Sequence, residues 1–272
     1  MRDRHLIVLD LDGTLLTDEK LISKRTKQTL FEARKQGHVV MIATGRPYRA
    51  SKMYYDQLEL NTPIVNFNGA HIHHPLDNDW GNYHTTLSKE TTKRIVRACE
   101  EFGIKNIIAE VLDKVYFHYH DEAIINLFNL GDPEIQSGKL DELLTEEPTS
   151  LLIYPDLDKV NTIREHLTDA HAEVIEHRKW AAPWHVIEIV KKGIHKAVGV
   201  ERVANYYNIP RERIIAFGDE DNDLEMIEYA GTGVAMDNAI DELKAVSNTV
   251  TASNEDDGIA QFLEEALSLT VK

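Results

Sequence analysis

Two carboxylates, Asp10 and Asp12, directly follow a short apolar run in the stretch LIVLDLDGTLL near the start of the chain. Residues two apart on an extended chain point the same way and lie roughly 6 to 7 Å apart. Such a pair could flank a single reacting group at the carboxyl end of a strand, where open α/β sheets bind their ligands. A polar turn after a buried strand also favours Asp and Gly, so this stretch alone leaves both interpretations open.

A second acidic group follows another apolar run, in FGDEDNDLEMI, where Asp219, Asn222 and Asp223 lie at a turn that leads into a helix. A helix N-terminus favours acidic residues, and capping accounts for some of this group but does not require so many. Repulsion among Asp10, Asp12 and Asp219 would be costly unless a cation lay between them. A few carboxylates together with a substrate phosphate are the usual ligands of Mg²⁺.

Two further segments offer groups that suit a phosphate. Thr44 and Gly45, in ATGR, provide a hydroxyl and an unhindered backbone N–H that could hold a phosphate oxygen. A strand-to-helix turn capped by Thr44 explains the same residues equally well. Lys196, in KKGIHKAVG, would supply a compact positive charge. A lysine is usually a surface residue, so its assignment depends on the other segments.

The two ends of the chain contain the elements that would position these residues. The strand HLIVLD, the helix LISKRTKQTLFEARKQG and the strand HVVMIATG follow one another, with Ser23 as the expected helix N-cap and Gly37 at the helix end. A third strand is predicted in TPIVNFNGA, and RIIAFGD and TGVAM continue the pattern near the C-terminus. Apolar strands separated by helices predict a doubly wound α/β fold, whose parallel sheet is covered on both faces.

The middle of the chain has a mixed pattern of helices and strands. In NIIAEVL and KVYFHYH, alternation predicts a half-exposed antiparallel pair that turns at Asp113 and Lys114. We therefore predict an inserted α+β domain over residues 84–192, with residues 1–83 and 193–272 forming the α/β core.

Composition excludes several classes of protein. The chain carries 46 acidic and 30 basic residues and a net charge of −16, which would repel a nucleic-acid backbone. The sequence has no apolar run of the roughly 18 residues needed to span a membrane and no signal-peptide pattern, so we expect a cytoplasmic protein without a membrane partner. Cys99 is the single cysteine, which rules out an internal disulfide. The oligomeric state cannot be predicted from these features.

Taken together and in this order, DLDGT, ATGR, the lysine in KGIHK and GDEDND resemble the four motifs of the haloacid dehalogenase-like hydrolases. The insertion between the second and third motifs, preceded by NFNGA, resembles the Cof-type branch (subfamily IIB), in which an α+β cap of the C2 type covers the active site. This resemblance covers essentially the whole chain and implies a Rossmann-like core with a cap. His195 and Ala197 stand where the family usually has Ser and Gly, a departure that affects local loop contacts rather than catalysis.

The resemblance implies a role for each motif residue. Asp10 would be the nucleophile, and Asp12 would act first as general acid and then as general base. Mg²⁺ would be bound by Asp10, Asp12 and Asp219, with Asp12 contributing either its carboxylate or its backbone carbonyl. Supporting roles are assigned to Asp223 and Arg46. The residues implied to bind the phosphate are Leu11, through its backbone N–H, Thr44, Gly45, Lys196 and Asn222.

The reaction implied is Mg²⁺-dependent hydrolysis of a small phosphomonoester through an aspartyl phosphate. TPIVNFNGAHIHHP and WAAPWHVIEI are similar to Bacillus-type members of the family that act on the ribitylaminouracil phosphate of riboflavin biosynthesis. Sugar phosphates, FMN and pyridoxal phosphate are the other candidate substrates. Aromatic and histidine side chains of the insertion are candidate substrate contacts, unless they pack the cap or face solvent: His118, His120, Trp184 and His185.

Two other functions remain open. A phosphosugar mutase of the same superfamily would share the nucleophile and cap but return the phosphoryl group to a sugar, so release of free phosphate separates the two. A non-catalytic domain that senses phosphorylated ligands also has an acidic pocket with a phosphorylatable aspartate. Such receiver-like domains are about half as long as this chain and do not need Asp12 as a proton donor.

Overall fold

The computed structural model describes residues 4–171, 175–179 and 186–270. It divides into two compact units, which are described separately. Unit 1 consists of Met1–Arg46, Ser51–Asn82 and His195–Lys272. Unit 2 consists of Pro47–Ala50 and Tyr83–Ile194.

The secondary structure alternates between strands and helices along the chain. In chain order the strands are β1 (Leu6–Leu9), β2 (Val39–Ile42), β3 (Ile64–Asn66), β4 (His71–His73), β5 (Asn82–His84), β6 (Asn106–Val111), β7 (Lys114–Phe117), β8 (Glu134–Ser137), β9 (Ser150–Tyr154), β10 (Ile175–Lys179), β11 (Ile187–Lys191), β12 (Ile214–Gly218), β13 (Thr232–Ala235) and β14 (Thr249–Val250). The α-helices are α1 (Lys24–Lys35), α2 (Tyr48–Gln57), α3 (Lys89–Glu101), α4 (Glu122–Phe128), α5 (Leu140–Leu143), α6 (Val160–His171), α7 (Lys196–Tyr207), α8 (Leu224–Tyr229), α9 (Asp241–Val246) and α10 (Gly258–Ala266). Short 3₁₀ helices include Phe67–Gly69 and Asp221–Asp223.

The main sheet of unit 1 has the strand order β14-β13-β12-β1-β2, and its strands are parallel. At the end of β1, Leu9 pairs with Phe217 of β12 and with Ile42 of β2. The residues that follow these three strands therefore emerge at one edge of the sheet.

Both faces of this sheet are covered. Leu6 and Val8 of β1 pack in a cluster with Val200 of α7. Ile7 and Leu9 point to the opposite face and are also fully buried. Elsewhere in unit 1, α1 packs against α10. The predicted doubly wound α/β fold is thus confirmed, because strands that are apolar on both faces require covering layers on both sides.

The start and end of α1 follow the sequence signals. The Ser23 hydroxyl accepts a hydrogen bond from the Thr26 N–H and caps the helix, as predicted. Gln36 ends the helix, and Gly37 has a φ of +98°, a left-handed conformation that glycine adopts without strain. Gly37 therefore marks the helix end, as predicted.

The predicted third strand is β3, which joins a small sheet of order β3-β4-β5. It runs antiparallel to β4, and Val65 forms a parallel bridge with Ala43, just after β2. This bridge brings the segment after β3 close to the end of β2, beside the edge of the main sheet.

In unit 2 the sheet order is β10-β11-β9-β6-β7-β8, with antiparallel pairs except for parallel β7 and β8. Strands β6 and β7 form the expected antiparallel pair. Because Val111 pairs with Lys114, the turn residues are Leu112 and Asp113, one position earlier than predicted.

The prediction that this pair is half-exposed is wrong. In β7, Val115 and Phe117 belong to a buried cluster with Ile124 of α4. Tyr116, on the opposite face, is buried in a second cluster with Leu140 of α5. Both faces of β7 are thus buried, whereas the alternating pattern predicted that one would be exposed. Within the described part of the chain, no helix has the length and apolar character needed to cross a membrane.

Candidate active site

The carboxyl edge of the main sheet of unit 1 brings three of the predicted residues together. Asp10 follows β1, Thr44 follows β2 and Asp219 follows β12. Backbone hydrogen bonds fix two of them: the Asp10 N–H donates to the Phe217 carbonyl at 3.2 Å, and the Thr44 N–H donates to the Val65 carbonyl at 2.9 Å. The site thus lies where strand register places the ends of β1, β2 and β12 side by side.

Lys196, the first residue of α7, connects two carboxylates of this site. Its ammonium donates to Asp10 Oδ1 at 2.6 Å and to Asp223 Oδ1 at 2.7 Å. The Lys196 and Asp223 side chains are fully buried, and the Asp10 side chain is 7% exposed. Burial disfavours the charged form of a lysine, but the two carboxylates outweigh it and raise the Lys196 pKa above its ordinary value. The lysine predicted to bind phosphate therefore also balances the charge of the carboxylates.

Asp223 is held by the turn that follows β12. Its Oδ2 accepts hydrogen bonds from the Asp219 N–H at 3.0 Å and from the Glu220 N–H at 3.2 Å. Gly218 is required here, because a Cβ at this position would lie 2.5 Å from the Asp223 carboxyl carbon. One carboxylate oxygen thus anchors the turn while the other faces Lys196.

Asp219 is positioned by the segment that follows β1. The Thr14 hydroxyl donates to Asp219 Oδ1 at 2.7 Å. Gly13 has a φ of +76°, and a Cβ there would lie 2.1 Å from Asp219 Oδ2. The glycine of DLDGT therefore serves two purposes: it allows the left-handed turn and leaves room for a carboxylate from another strand.

Three carboxylates can each direct one oxygen to a common point. Ligand atoms of Asp10, Asp219 and Asp223 all lie within 4.8 Å of one another, and all three residues are buried. Burial, together with the charges of neighbouring carboxylates, raises the pKa of Asp10, with Lys196 opposing the rise. Burial and the charge of Asp10 likewise raise the pKa of Asp219 to about 8. A divalent cation would relieve this repulsion, and buried carboxylate oxygens are the donors that Mg²⁺ prefers, so the residues fit a hard divalent metal.

The Asp12 carboxylate belongs to a different cluster. Its two oxygens accept hydrogen bonds from Arg46 Nε and Nη2, both at 2.6 Å, and the Lys20 ammonium lies 2.9 Å from Oδ1. Burial alone would raise the Asp12 pKa, but the hydrogen bonds and charges of Arg46 and Lys20 outweigh it and lower the pKa to about 2. Among the described residues the metal-fitting group contains Asp223 and not the Asp12 carboxylate. Of the two predicted modes of metal binding for Asp12, only the backbone carbonyl agrees with this arrangement.

The residues predicted to bind phosphate are grouped around Gly45. Thr44 is buried, and its hydroxyl accepts a hydrogen bond from the Arg46 N–H at 3.1 Å. A Cβ at Gly45 would lie 3.5 Å from Asn222 Nδ2, so Asn222 closely approaches the backbone of ATGR. Leu11 is fully buried in the turn between Asp10 and Asp12. Thr44, Gly45 and Asn222 thus lie together, as their predicted shared role requires.

Two residues of this site were not identified from the sequence. Lys20, which contacts Asp12, lies in a loop without any motif. Its backbone is left-handed, with a φ of 62°, and a lysine in the sequence does not indicate such a conformation. Asn68 contacts Asn222 and lies in NFNGA, a segment that served only to identify the resemblance. The position of Asn68 beside ATGR depends on the bridge between β2 and β3, which the sequence pattern did not reveal.

The candidate substrate contacts in unit 2 have different outcomes. His118 is buried, its Nε2 lies 2.9 Å from Glu100 Oε1, and its Nδ1 accepts a hydrogen bond from the Leu140 N–H at 3.4 Å. These contacts lie inside unit 2, so His118 packs the unit and the prediction that it contacts substrate is not supported. His120 is exposed, with Nδ1 3.4 Å from Ser137 Oγ. Trp184 and His185 lie outside the described residues.

Cys99 is not placed for chemistry. It lies in α3 with its side chain buried, and burial raises the pKa of the thiol to about 12. A thiol with this pKa remains protonated at neutral pH and is a poor nucleophile.

Comparisons with known proteins agree with this geometry. The sequence model of the haloacid dehalogenase-like hydrolases matches residues 7–263. The chain is 57% identical over 97% of its length to the 5-amino-6-(5-phospho-D-ribitylamino)uracil phosphatase YitU of Bacillus subtilis, covering 98% of that protein. It is 30% identical over 95% of its length to the pyridoxal phosphate phosphatase YbhA of Escherichia coli, covering 97% of it. A crystal structure of a haloacid dehalogenase-like hydrolase from Bacteroides thetaiotaomicron superposes with a TM-score of 0.82 and 26% identity, covering 97% of this chain and 99% of that one.

Proposed function

Because this chain belongs to the haloacid dehalogenase-like hydrolase family, and is a phosphomonoester hydrolase of that family, we propose that its substrate is 5-amino-6-(5-phospho-D-ribitylamino)uracil. The observation that carries this proposal is the 57% identity, over nearly the whole of both chains, to the Bacillus subtilis phosphatase named for that compound. The pyridoxal phosphate phosphatase of Escherichia coli is 30% identical, so pyridoxal phosphate is a weaker candidate.

The proposed cofactor is Mg²⁺, held by Asp10, Asp219 and Asp223. Their oxygens converge, and like-charge repulsion and burial make the site unfavourable without a cation. When bound, Mg²⁺ would offset the repulsion between the Asp10 carboxylate and a phosphate dianion and would polarise the phosphoryl group. Asp223 is thereby added to the predicted set of Asp10, Asp12 and Asp219, and Asp12 is proposed to contribute through its backbone carbonyl, because its carboxylate is held by Arg46 and Lys20.

In the first step of the proposed reaction, a carboxylate oxygen of Asp10 attacks phosphorus, and the bond from phosphorus to the ester oxygen breaks. The product is an aspartyl phosphate, and the departing alkoxide takes a proton from Asp12. Lys196, 2.6 Å from Asp10, stabilises the ionised form of the nucleophile before the attack. Thr44, Gly45 and Asn222 would bind the phosphoryl oxygens.

In the second step, Asp12 takes a proton from the water that hydrolyses the aspartyl phosphate, releasing inorganic phosphate and free Asp10. Arg46 and Lys20 favour the ionised Asp12 that this step needs. For the first step the same ion pairs must loosen, because a proton donor needs Asp12 protonated. Arg46 and Lys20 are thus proposed to stabilise the basic form of Asp12.

Substrate selection is proposed to depend on unit 2, whose segment Tyr83–Ile194 includes the whole of the predicted cap over residues 84–192. His120 is exposed in this unit and remains a candidate contact to the substrate. The expected location of the enzyme is the cytoplasm.

The test of this function is the release of inorganic phosphate from a panel of phosphomonoesters, with MgCl₂ or EDTA. We expect the ribitylaminouracil phosphate to give the highest kcat/KM, and turnover to be lost with EDTA or in Asp10→Asn. Asp56→Asn is the matched control, because Asp56 is an exposed carboxylate that pairs only with Lys52, 2.5 Å away, among the contacts described.

Three results would contradict parts of the proposal. Equal turnover of pyridoxal phosphate or hexose phosphates would refute the substrate. Transfer of the phosphoryl group to a sugar phosphate without release of phosphate would identify a mutase. If no substrate is turned over by folded protein that binds Mg²⁺, a sensing role replaces the enzymatic one.

A further inference from the structure

Asn68 combines complete burial with an unusual backbone conformation. It is 1% exposed, and its backbone is left-handed, with φ of 53° and ψ of 27°. Asparagine tolerates this region better than most residues, but a buried polar side chain there still costs free energy unless it is hydrogen-bonded. The contacts of Asn68 therefore indicate what the conformation achieves.

These contacts are with residues of two separate motifs. The Asn68 N–H donates to the Thr44 carbonyl at 3.1 Å. Its Oδ1 accepts a hydrogen bond from Asn222 Nδ2 at 3.0 Å. A Cβ at Gly45 would lie 3.2 Å from Asn68 Oδ1 and 3.3 Å from Asn68 Nδ2, so the Asn68 amide packs directly on the Gly45 backbone.

The turn that carries Asn68 is also fixed against α7. Gly69 has a φ of +103°, and a Cβ there would lie 2.6 Å from the His195 carbonyl oxygen. His195 immediately precedes Lys196. The turn Phe67–Gly69 therefore contacts segments that carry Thr44, Asn222 and Lys196, all of them assigned to phosphate.

The hydrogen bond between the two amides determines how Asn222 is oriented. A carboxamide has two N–H donors on nitrogen and an acceptor on oxygen. With Asn68 Oδ1 accepting one N–H, the second N–H of Asn222 remains for another acceptor. If the amide turned over, Asn222 would present an oxygen instead, which repels a phosphate oxygen. Asn222 is half-buried, whereas Asn68 is fully buried, so a ligand reaches Asn222 first.

From this arrangement we propose that Asn68 is a positioning residue of the phosphate site, which acts through Asn222. Its acceptor oxygen holds the Asn222 amide with one N–H toward the phosphoryl group. The proposal rests on the proposed phosphatase function, because it takes Asn222 as a ligand of the phosphoryl group.

The experiment measures binding of inorganic phosphate in the presence of Mg²⁺ by calorimetry, so it does not depend on turnover of any ester. The variants are Asn68→Gly, Asn222→Ala and the double variant. Glycine at residue 68 keeps the left-handed backbone and removes only the amide. Asn208→Gly is the matched control, because Asn208 also has a φ of 53° but ends α7.

We expect Asn68→Gly to weaken phosphate binding about tenfold, the effect of losing one well-oriented hydrogen bond to a charged group. Asn222→Ala should weaken it similarly. The double variant should bind no more weakly than Asn222→Ala, because a residue that acts only through Asn222 has no effect once that amide is gone. Asn208→Gly should leave phosphate affinity unchanged, whatever it does to the melting temperature.

Several outcomes would overturn the proposal: unchanged phosphate affinity in Asn68→Gly, additive losses in the double variant, or a wild type that does not bind phosphate with Mg²⁺. If Asn68→Gly does not fold, Asn68→Ser provides the test. Its shorter side chain withdraws the acceptor oxygen from Asn222 while leaving a polar group in the buried turn, and it should also weaken phosphate binding about tenfold. If phosphate binding responds as expected while no ester is hydrolysed, the inference stands and the proposed enzymatic function fails.

Discussion

Replacing Lys196 by methionine tests whether one buried ammonium holds the carboxylates of the site together. Lys196 is fully buried and donates to Asp10 and Asp223 at 2.6 and 2.7 Å. Removing one partner of a buried ion pair costs about 3 to 5 kcal/mol. In a protein of this size each kcal/mol lowers the melting temperature by about 2 to 4 °C. Lys196→Met should therefore melt about 6 to 20 °C below the wild type at pH 8 without metal.

The assay is thermal unfolding followed by circular dichroism at pH 5.5 and pH 8, with EDTA or MgCl₂. The deficit should be smaller at pH 5.5, because a carboxyl that takes up a proton no longer needs a counter-charge. The double variant Lys196→Met/Asp223→Asn should recover part of the loss, since asparagine keeps an acceptor oxygen for the turn while removing one unpaired charge. Lys35→Met is the control, because the Lys35 side chain is 79% exposed and its change should be within about 0.5 kcal/mol. A Lys196→Met protein as stable as wild type at pH 8 would refute the charge-balance argument.

Two further predictions concern the same carboxylates. Burial and the charge of Asp10 raise the pKa of Asp219 from 3.8 to about 8, so the folded metal-free protein binds a proton that the unfolded chain releases. The melting temperature of the metal-free protein should therefore fall as the pH rises from about 4 to about 8. MgCl₂ should raise the melting temperature more at pH 8 than at pH 5.5. An equal rise at the two pH values would contradict the raised pKa of Asp219. Gly13→Ala should lose at least tenfold in phosphatase activity, because its Cβ would lie 2.1 Å from Asp219 Oδ2. Gly37→Ala is the control, because residue 37 has a φ of +98° but no atom lies within 4 Å of its Cβ. This control should lose stability but keep its activity.

The sequence predicted that these residues would meet at one edge of the sheet because each strand end carries its own signal. An apolar run followed by carboxylates marks the ends of β1 and β12, and a parallel sheet must place such ends at one edge. The in-register pairing of Leu9 with Phe217 and Ile42 then leaves little freedom for Asp10, Thr44 and Asp219. This part of the fold therefore follows from the apolar runs, the polar residues that end them and the parallel sheet that they predict.

Side-chain directions within the turns could not be predicted in the same way. The choice of Asp223 over the Asp12 carboxylate depends on hydrogen bonds from the Asp219 and Glu220 N–H groups, which form only when the turn after Gly218 is folded. The pairing of Asn68 with Asn222 spans 154 residues and depends on the bridge and hydrogen bonds that join the segment after β2 to β3 and the turn that follows it. Contacts of this kind between distant segments produce no periodic pattern in a sequence.

The exposure of β7 was predicted wrongly for a related reason. Strand periodicity reports which residues share a face, but not which faces are covered. Tyr116 is buried because α5 brings Leu140 against it, and this short helix lacks a strong pattern of its own. Two-sided burial of a strand with polar and aromatic residues depends on neighbours that its own sequence does not specify.

The two carboxylates of DLDGT differ because the chain does not continue as a strand beyond β1. The Leu15 N–H donates to the Asp10 carbonyl at 3.2 Å and the Thr14 N–H donates to the Leu11 carbonyl at 3.3 Å, so the chain turns directly after Asp10. This turn directs Asp10 to Lys196 and Asp12 to Arg46, and each carboxylate has its own cation. Burial raises the pKa of Asp10, whereas Arg46 and Lys20 lower that of Asp12, so in the metal-free site the carboxylate beside Lys196 takes up a proton more readily than the one beside Arg46. A phosphate dianion that attracts Arg46 would weaken the hold on Asp12, and we expect the acid form of Asp12 to arise only with substrate bound.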